Sequence, residues 1–236
     1  MRITHLASKM SPVTYDPRFP LCWALDFNVD PLCSVIFQIR DLDTQPALGG
    51  PRVAIIRVLD EIVLTNSNTV EAAKEFIRRT LPWCGCQDET GWEGINVTLL
   101  LNVTIYGDAS GNSRTTKSTR TDYELIREVF RQNSQYQINL KTNTSNPAIK
   151  DRVNAVNAQL CTVSGKRRLF VDPKCRELIR DFQQVKWKRD SAGNPTGALD
   201  NSDWQRTHTS DALSYAVMKE FGLKRVVYGE LSKSPF

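Results

Sequence analysis

The chain has 236 residues, of which 40% are hydrophobic and 24% charged, and its 31 lysines and arginines exceed its 26 acids for a net charge of +5. That length is enough to bury a core for one large domain or two small ones, and the composition is that of an ordinary globular protein. It excludes a membrane protein of the helical kind, since no apolar run approaches the roughly 18 residues of a span, and MRITHLASKMSPV at the start lacks the apolar stretch of a signal peptide. The mild positive excess permits a polyanionic partner without demanding one.

Residues 1–20 are polar and interrupted by Pro12, Pro17 and Pro20, which reads as an arm or linker ahead of a domain spanning 21–236. LCWALDFN (21–28), LCSVIFQIR (32–40) and RVAIIRVLDEIVL (52–64) are three strand candidates. Their apolar residues fall on both parities, as in strands covered on both faces. Asn68 and Glu71 have capping-box spacing ahead of a helix with Val70, Ala73, Phe76 and Ile77 on one side. A loop over 82–95 leads to NVTLLLNVTIYGD (96–108), a β-prone run stopped by a Gly-Asp turn.

A second helix opens at Thr121 with Glu124 three residues on, packing Ile126, Val129 and Phe130, and YQINL (136–140) is the next strand. Asn146-Pro147 predicts a cap followed by a first-turn proline, with Ile149, Val153, Val156 and Leu160 on the buried face. Arg168–Val171 is a short strand, Asp172-Pro173 a second cap-and-proline start, and SAGNP marks a hairpin within 185–200. A final helix runs from about Ser210 to Gly222. Three strands and then alternating helices and strands describe an α/β domain with a mixed sheet.

Cysteines stand at 22, 33, 84, 86, 161 and 175. Cys22 and Cys33 lie in apolar stretches, as buried thiols do. Cys84-Gly-Cys86 has no second pair near it and the chain has only two histidines, so spacing gives little support to a structural zinc site. Such thiols suit a reducing, intracellular setting.

Three acids stand where an α/β sheet places chemistry. Asp26 ends an apolar strand, Asp108 sits in Gly107-Asp108-Ala109-Ser110-Gly111, and Asp211 opens the last helix with His208 three residues earlier. Each also has a structural explanation: a solvated strand end, a turn former, and a partner for the helix dipole. Taken together they satisfy the demand of phosphodiester cleavage for several carboxylates on different elements. Hard divalent cations prefer oxygen ligands. Two of them about 4 Å apart can activate a water and stabilise the leaving oxygen.

The stretches WALDFNVDP (23–31), VTIYGDASG (103–111), NPAIKDRVNAVNAQL (146–160), RLFVDPKCRELIRDF (168–182) and HTSDALSYAV (208–217) carry a resemblance. In this order they resemble the C-terminal nuclease domain of the terminase large subunit, the DNA-packaging motor of tailed phages. The resemblance implies a ribonuclease-H/integrase-like fold, a mixed sheet flanked by helices and carrying an added hairpin, with the first and fourth strands side by side. It implies an endonuclease that cuts concatemeric duplex viral DNA with little sequence preference. Magnesium or manganese, two ions per site, would be held by Asp26, Asp108 and Asp211, and His208 matches a histidine often found before the last acid.

Some branches of that family carry Glu where Asp108 stands. Glu61 is an extra acid to which the family pattern assigns no firm role, and strand-end or ligand-supporting duty suits it better than ligation. The whole motor also has an ATPase domain, but no GxxxxGK[ST] loop occurs here. Implied partners are duplex DNA, that ATPase, the portal and the small terminase subunit, in the host cytoplasm. Arg114, Lys117 and Arg120, the cluster Lys166-Arg167-Arg168, and Lys186, Lys188 and Arg189 are either phosphate contacts or solvated surface. Two other readings stay open: a different nuclease of the same fold, such as a junction resolvase, and a non-catalytic DNA- or portal-docking module.

Overall fold

The computed structural model describes residues 13–28, 30–41, 54–84, 100–114, 119–200 and 202–222. Its centre is a six-stranded sheet. The strands are β1 (Leu21–Asp26), β2 (Leu32–Asp41), β3 (Ala54–Leu64), β4 (Leu101–Gly107), β5 (Tyr136–Leu140) and β6 (Leu169–Val171), in the spatial order β5-β4-β1-β2-β3-β6. The first three form an antiparallel meander; β4 runs parallel to β1, β5 parallel to β4, and β6 parallel to β3. First and fourth strands are therefore neighbours, as expected.

Every residue of β1 is buried, because helices cover both faces. Leu21, Trp23 and Leu25 enter one cluster beneath α1 (Thr69–Thr80) and α2 (Asp122–Arg131), where Trp23 meets Phe76 at 4.7 Å between ring centres. Cys22 and Ala24 enter the other beneath α3 (Ile149–Leu160), α4 (Arg176–Gln184) and α5 (His208–Phe221). The strand's alternation thus feeds two cores, and each fully buried large side chain contributes about 1.5–3 kcal/mol. A separate two-stranded hairpin, β7 (Trp187–Arg189) and β8 (Pro195–Leu199), stands between α4 and α5 in the chain.

Local spacing predicts α1 and α2 well. Asn68 accepts the N–H of Glu71, and Thr121 and Glu124 make a full reciprocal capping box. The last eight residues of the expected arm lie against the domain: Val13 is buried, Tyr15 stacks on Trp83, and Gln38 bonds the backbone of Asp16 and Phe19.

Three helix starts differ from expectation. α3 begins at Ile149 behind Ala148, which makes no side-chain cap bond, and Asn146 instead accepts the N–H of Ala109 at 2.7 Å. Its buried face is Arg152, Val156 and Gln159, while Ile149 is exposed. Val156 joins the apolar cluster with α5, while Arg152 is buried through its bonds to Asp211 and Ser214 of that helix. Asp172-Pro173 forms a turn, in which Asp172 accepts the N–H of Lys174, and α4 starts only at Arg176. α5 starts at His208 rather than Ser210, which puts His208 inside the first turn; it stops at Gly222 as predicted. Residues 85–99, which include Cys86 and most of the expected loop, lie outside the described residues.

Candidate active site

The parallel register of β1 and β4 pairs Cys22 with Thr104, Ala24 with Tyr106 and Leu25 with Gly107. One residue further along, Asp26 and Asp108 stand side by side at the carboxyl ends of neighbouring strands, which lie about 4.8 Å apart. By the same alternation both point to the face of Ala24 and Tyr106, the face that α5 covers. Asp211 stands in the first turn of α5. All three acids therefore address one region, at the sheet edge where open α/β folds bind ligands.

Asp26 is 6% exposed. Its Oδ2 accepts from Asn28 Nδ2 and lies 3.1 Å from His208 Nδ1. His208 Nε2 is 2.9 Å from the Trp204 carbonyl, which can only accept, so Nε2 carries a proton. The hydrogen bond to Asp26 raises the pKa of His208 above the ordinary value, against the opposing effect of burial. Once protonated, the ring donates to Asp26 and to Trp204, and is pinned at both ends.

Asp108 is held by its own turn. Ser110 Oγ sits 2.7 and 2.9 Å from the two carboxylate oxygens, and Tyr123 donates to the Asp108 carbonyl at 2.9 Å. Burial raises the Asp108 pKa most, Ser110 lowers it, and the charge of Asp26 raises it further. Asp211 is likewise raised, chiefly by burial; Arg152 pulls the other way, and Asp26 again raises it. Asp26, Asp108 and Asp211 all push up the phenol of Tyr215, behind the larger effect of its burial.

Two further carboxylates set the scaffold. Asp181 of α4, almost wholly buried, accepts the N–H of Ser210 at 3.0 Å and the hydroxyl of Thr209 at 2.7 Å, capping α5 where Thr207 supplies no cap bond. Arg206 sits 3.4 Å from Asp181 and 2.6 Å from Glu177. Glu61 of β3 accepts the N–H groups of Glu177 and Leu178, each at 2.8 Å, and so caps α4. Glu61 thereby holds the helix that holds α5.

The donor type suits magnesium or manganese, since Asp26, Asp108 and Asp211 offer carboxylate oxygens, which hard cations prefer, from three elements. Among the described residues, no three His, Cys, Asp or Glu side chains are drawn together closely enough to hold a metal ion. Each acid is engaged by its own neighbour: Asn28 and His208 on Asp26, Ser110 on Asp108, Arg152 on Asp211.

No protein-family model and no curated protein sequence matches this chain. Among solved structures it is similar to the nuclease domain of the large terminase of bacteriophage SPP1, crystallised with bound manganese. Identity is 18%, coverage 84% of each chain and the TM-score 0.45. It is also similar to the Holliday junction resolvase of fowlpox virus, at 9% identity, 82% and 94% coverage and a TM-score of 0.36. A third is RuvC of Thermus thermophilus, at 13% identity, 84% and 91% coverage and a TM-score of 0.30. The strand order itself decides the fold, with an antiparallel meander whose first strand pairs in parallel with the fourth and the fourth with the fifth. The architecture is ribonuclease-H-like.

On this ribonuclease-H-like frame the basic residues fall in two places. Arg114 and Arg120 are exposed beside the N-terminal end of α2, with Arg114 3.9 Å from Glu124, and Lys117 lies outside the described residues. Lys186, Lys188 and Arg189 are exposed on the hairpin; Arg189 donates to the Gly193 carbonyl at 2.5 Å. A cleft of about 180 Å³ runs from the hairpin base to Asp211, with Lys186, Trp187 and Leu199 on one wall and Ser210, Asp211 and Ser214 on another; Asp26 and Asp108 do not line it. Lys166 and Arg167 are exposed in the turn before β6.

Sequence reasoning did not single out Asn28, Ser110, Arg152, Asp181 or Tyr215. Ser110 stands two residues from an acid in a glycine turn, a spacing that could have drawn notice. For Arg152 and Asp181 no local signal exists.

Proposed function

We propose that this chain is a metal-dependent endonuclease that cuts duplex DNA with little sequence preference during viral genome packaging. The observation that carries the reading is the juxtaposition of Asp26 and Asp108 at the ends of paired parallel strands, beneath the helix turn that presents Asp211. These acids would hold two divalent cations. Bound magnesium or manganese supplies Lewis-acid stabilisation of charge on the phosphate and the leaving oxygen. The protein's own part is positional. The His208 and Asn28 contacts orient Asp26, Ser110 orients Asp108, and the Asp181 cap anchors the turn bearing Asp211. Lys186, Lys188 and Arg189 on one side and Arg114, Lys117 and Arg120 on the other would grip phosphates without reading bases.

The packaging role adds the ATPase domain of the same motor, the portal and the small terminase subunit as partners, in the host cytoplasm. The test of the chemistry is cleavage of supercoiled and linear DNA with manganese, magnesium or calcium. Asp26→Ala, Asp108→Ala and Asp211→Ala are each expected to abolish metal-dependent cutting while circular dichroism stays unchanged. Full activity in all three ends the proposal, and a marked preference for branched DNA replaces packaging with junction resolution.

A further inference from the structure

Arg152 is the most deeply placed cation near the acids, 4% exposed on the inner face of α3. One terminal nitrogen donates to Asp211 Oδ1 at 2.8 Å and to Ser214 Oγ at 2.6 Å. The Ser214 hydroxyl spends its own proton on the Asp211 carbonyl at 2.7 Å, so toward Arg152 it acts as acceptor. The guanidinium carbon lies 4.3 Å from the centre of the Tyr215 ring, and Nε is buried with no hydrogen-bond partner. Among the described residues, the head-group contacts to Asp211, Ser214 and Tyr215 all go to one turn of α5, the turn that carries Asp211.

Stability alone does not account for this arrangement. Burying a charge is costly, and a well-packed apolar pair often replaces a buried ion pair without loss. The unpartnered Nε adds a further desolvation cost. What the arrangement achieves is orientation. With Oδ1 taken by Arg152, Asp211 Oδ2 has no hydrogen bond among the described residues. The stacked, doubly bonded guanidinium also keeps the carboxylate from turning. We propose that Arg152 is a positioning residue of the cation site: it fixes Asp211 so that its second oxygen faces Asp26, and its charge offsets part of the repulsion among the acids. This rests on the reading of Asp26, Asp108 and Asp211 as cation ligands.

The experiment is calorimetric titration of manganese into the full chain without DNA, alongside thermal melting. Partners that orient a metal ligand typically govern affinity by about 10–100-fold. Arg152→Gln is expected to weaken manganese binding by that factor. Arg152→Lys keeps a charge but not the planar head group that lies over Tyr215; it is expected to weaken binding by about 10-fold and supplies the measurement if Arg152→Gln does not fold. Ser214→Ala should weaken binding less than either. A residue that only stabilises the fold would lower the melting temperature and leave the manganese affinity alone. Wild-type affinity in a folded Arg152→Gln or Arg152→Lys protein overturns the assignment while the nuclease reading stands. A folded wild type that takes up no manganese removes both.

Discussion

The Glu61 carboxylate accepts the backbone N–H of Leu178 at 2.8 Å across 117 residues of chain, and a second oxygen does the same for Glu177. An acid expected in strand-end or ligand-supporting duty is thus committed to the N-terminus of α4, where the first N–H groups have no partners within the helix. Burial pushes the Glu61 pKa up while those two bonds pull it down. Glu61→Ala removes both acceptors at once, and the expected loss is about 2 kcal/mol, from two buried donors and a cap. Urea unfolding measures it. Metal-dependent cutting should fall too, even well below the new melting temperature, because α4 supplies the Asp181 cap on the helix turn that bears Asp211.

Gly111 closes the turn that holds Asp108. A Cβ there would meet Phe27 at 2.5 Å and Tyr123 at 2.7 Å. Those two rings pack edge to face at 5.0 Å, and Tyr123 also bonds the Asp108 carbonyl. Gly111→Ala is expected to cost about 1–3 kcal/mol through overpacking and to lower cutting more than melting, since the displaced ring is the one that braces the acid. Side-by-side melting and cleavage assays separate the two effects.

Glu75 gives a pH signature far from the acids. Its hydrogen bonds to Arg78, and then to Arg79, hold its carboxyl at about 2, against an ordinary 4.5. The folded value is depressed, so the contribution is complete above 4.5 and is lost as pH falls from there through about 2. Arg78 is largely exposed, so screening keeps the gain to about 0.5 kcal/mol. Glu75→Gln should be less stable than the wild type at neutral pH, and the gap should close on acidification through that window in pH-dependent melting.

The hairpin lysines predict a salt effect. If Lys186 and Lys188 each neutralise one duplex phosphate, replacing either with alanine should flatten the dependence of log affinity on log salt by about 0.9. The weakening should be alike for unrelated sequences. Fluorescence anisotropy with calcium in place of manganese reads this without cleavage. Unchanged slopes would assign these lysines to solvent.

Much of this molecule was legible from residue order because much of it is set by short-range spacing. Apolar residues on both parities mark β1 as covered on both sides, and the Thr121–Glu124 and Asn68–Glu71 pairs mark helix starts, since a side chain reaches a backbone N–H three positions on wherever a helix begins. The three acids were also readable, each at the end of a regular element.

What packing alone decided is who holds those acids. Nothing in the α3 sequence around Arg152 marks its role, and only the approach of α5 gives it Asp211 and Ser214 to bond. Asp181 and Glu61 cap helices from 29 and 116 residues away, and for that reason α4 needs no cap from Asp172. The α3 start missed its cap because Asn146 is spent on Ala109 across 37 residues. Hydrogen bonds of this kind depend on the distance between elements after the sheet has closed, a quantity that separation along the chain does not carry.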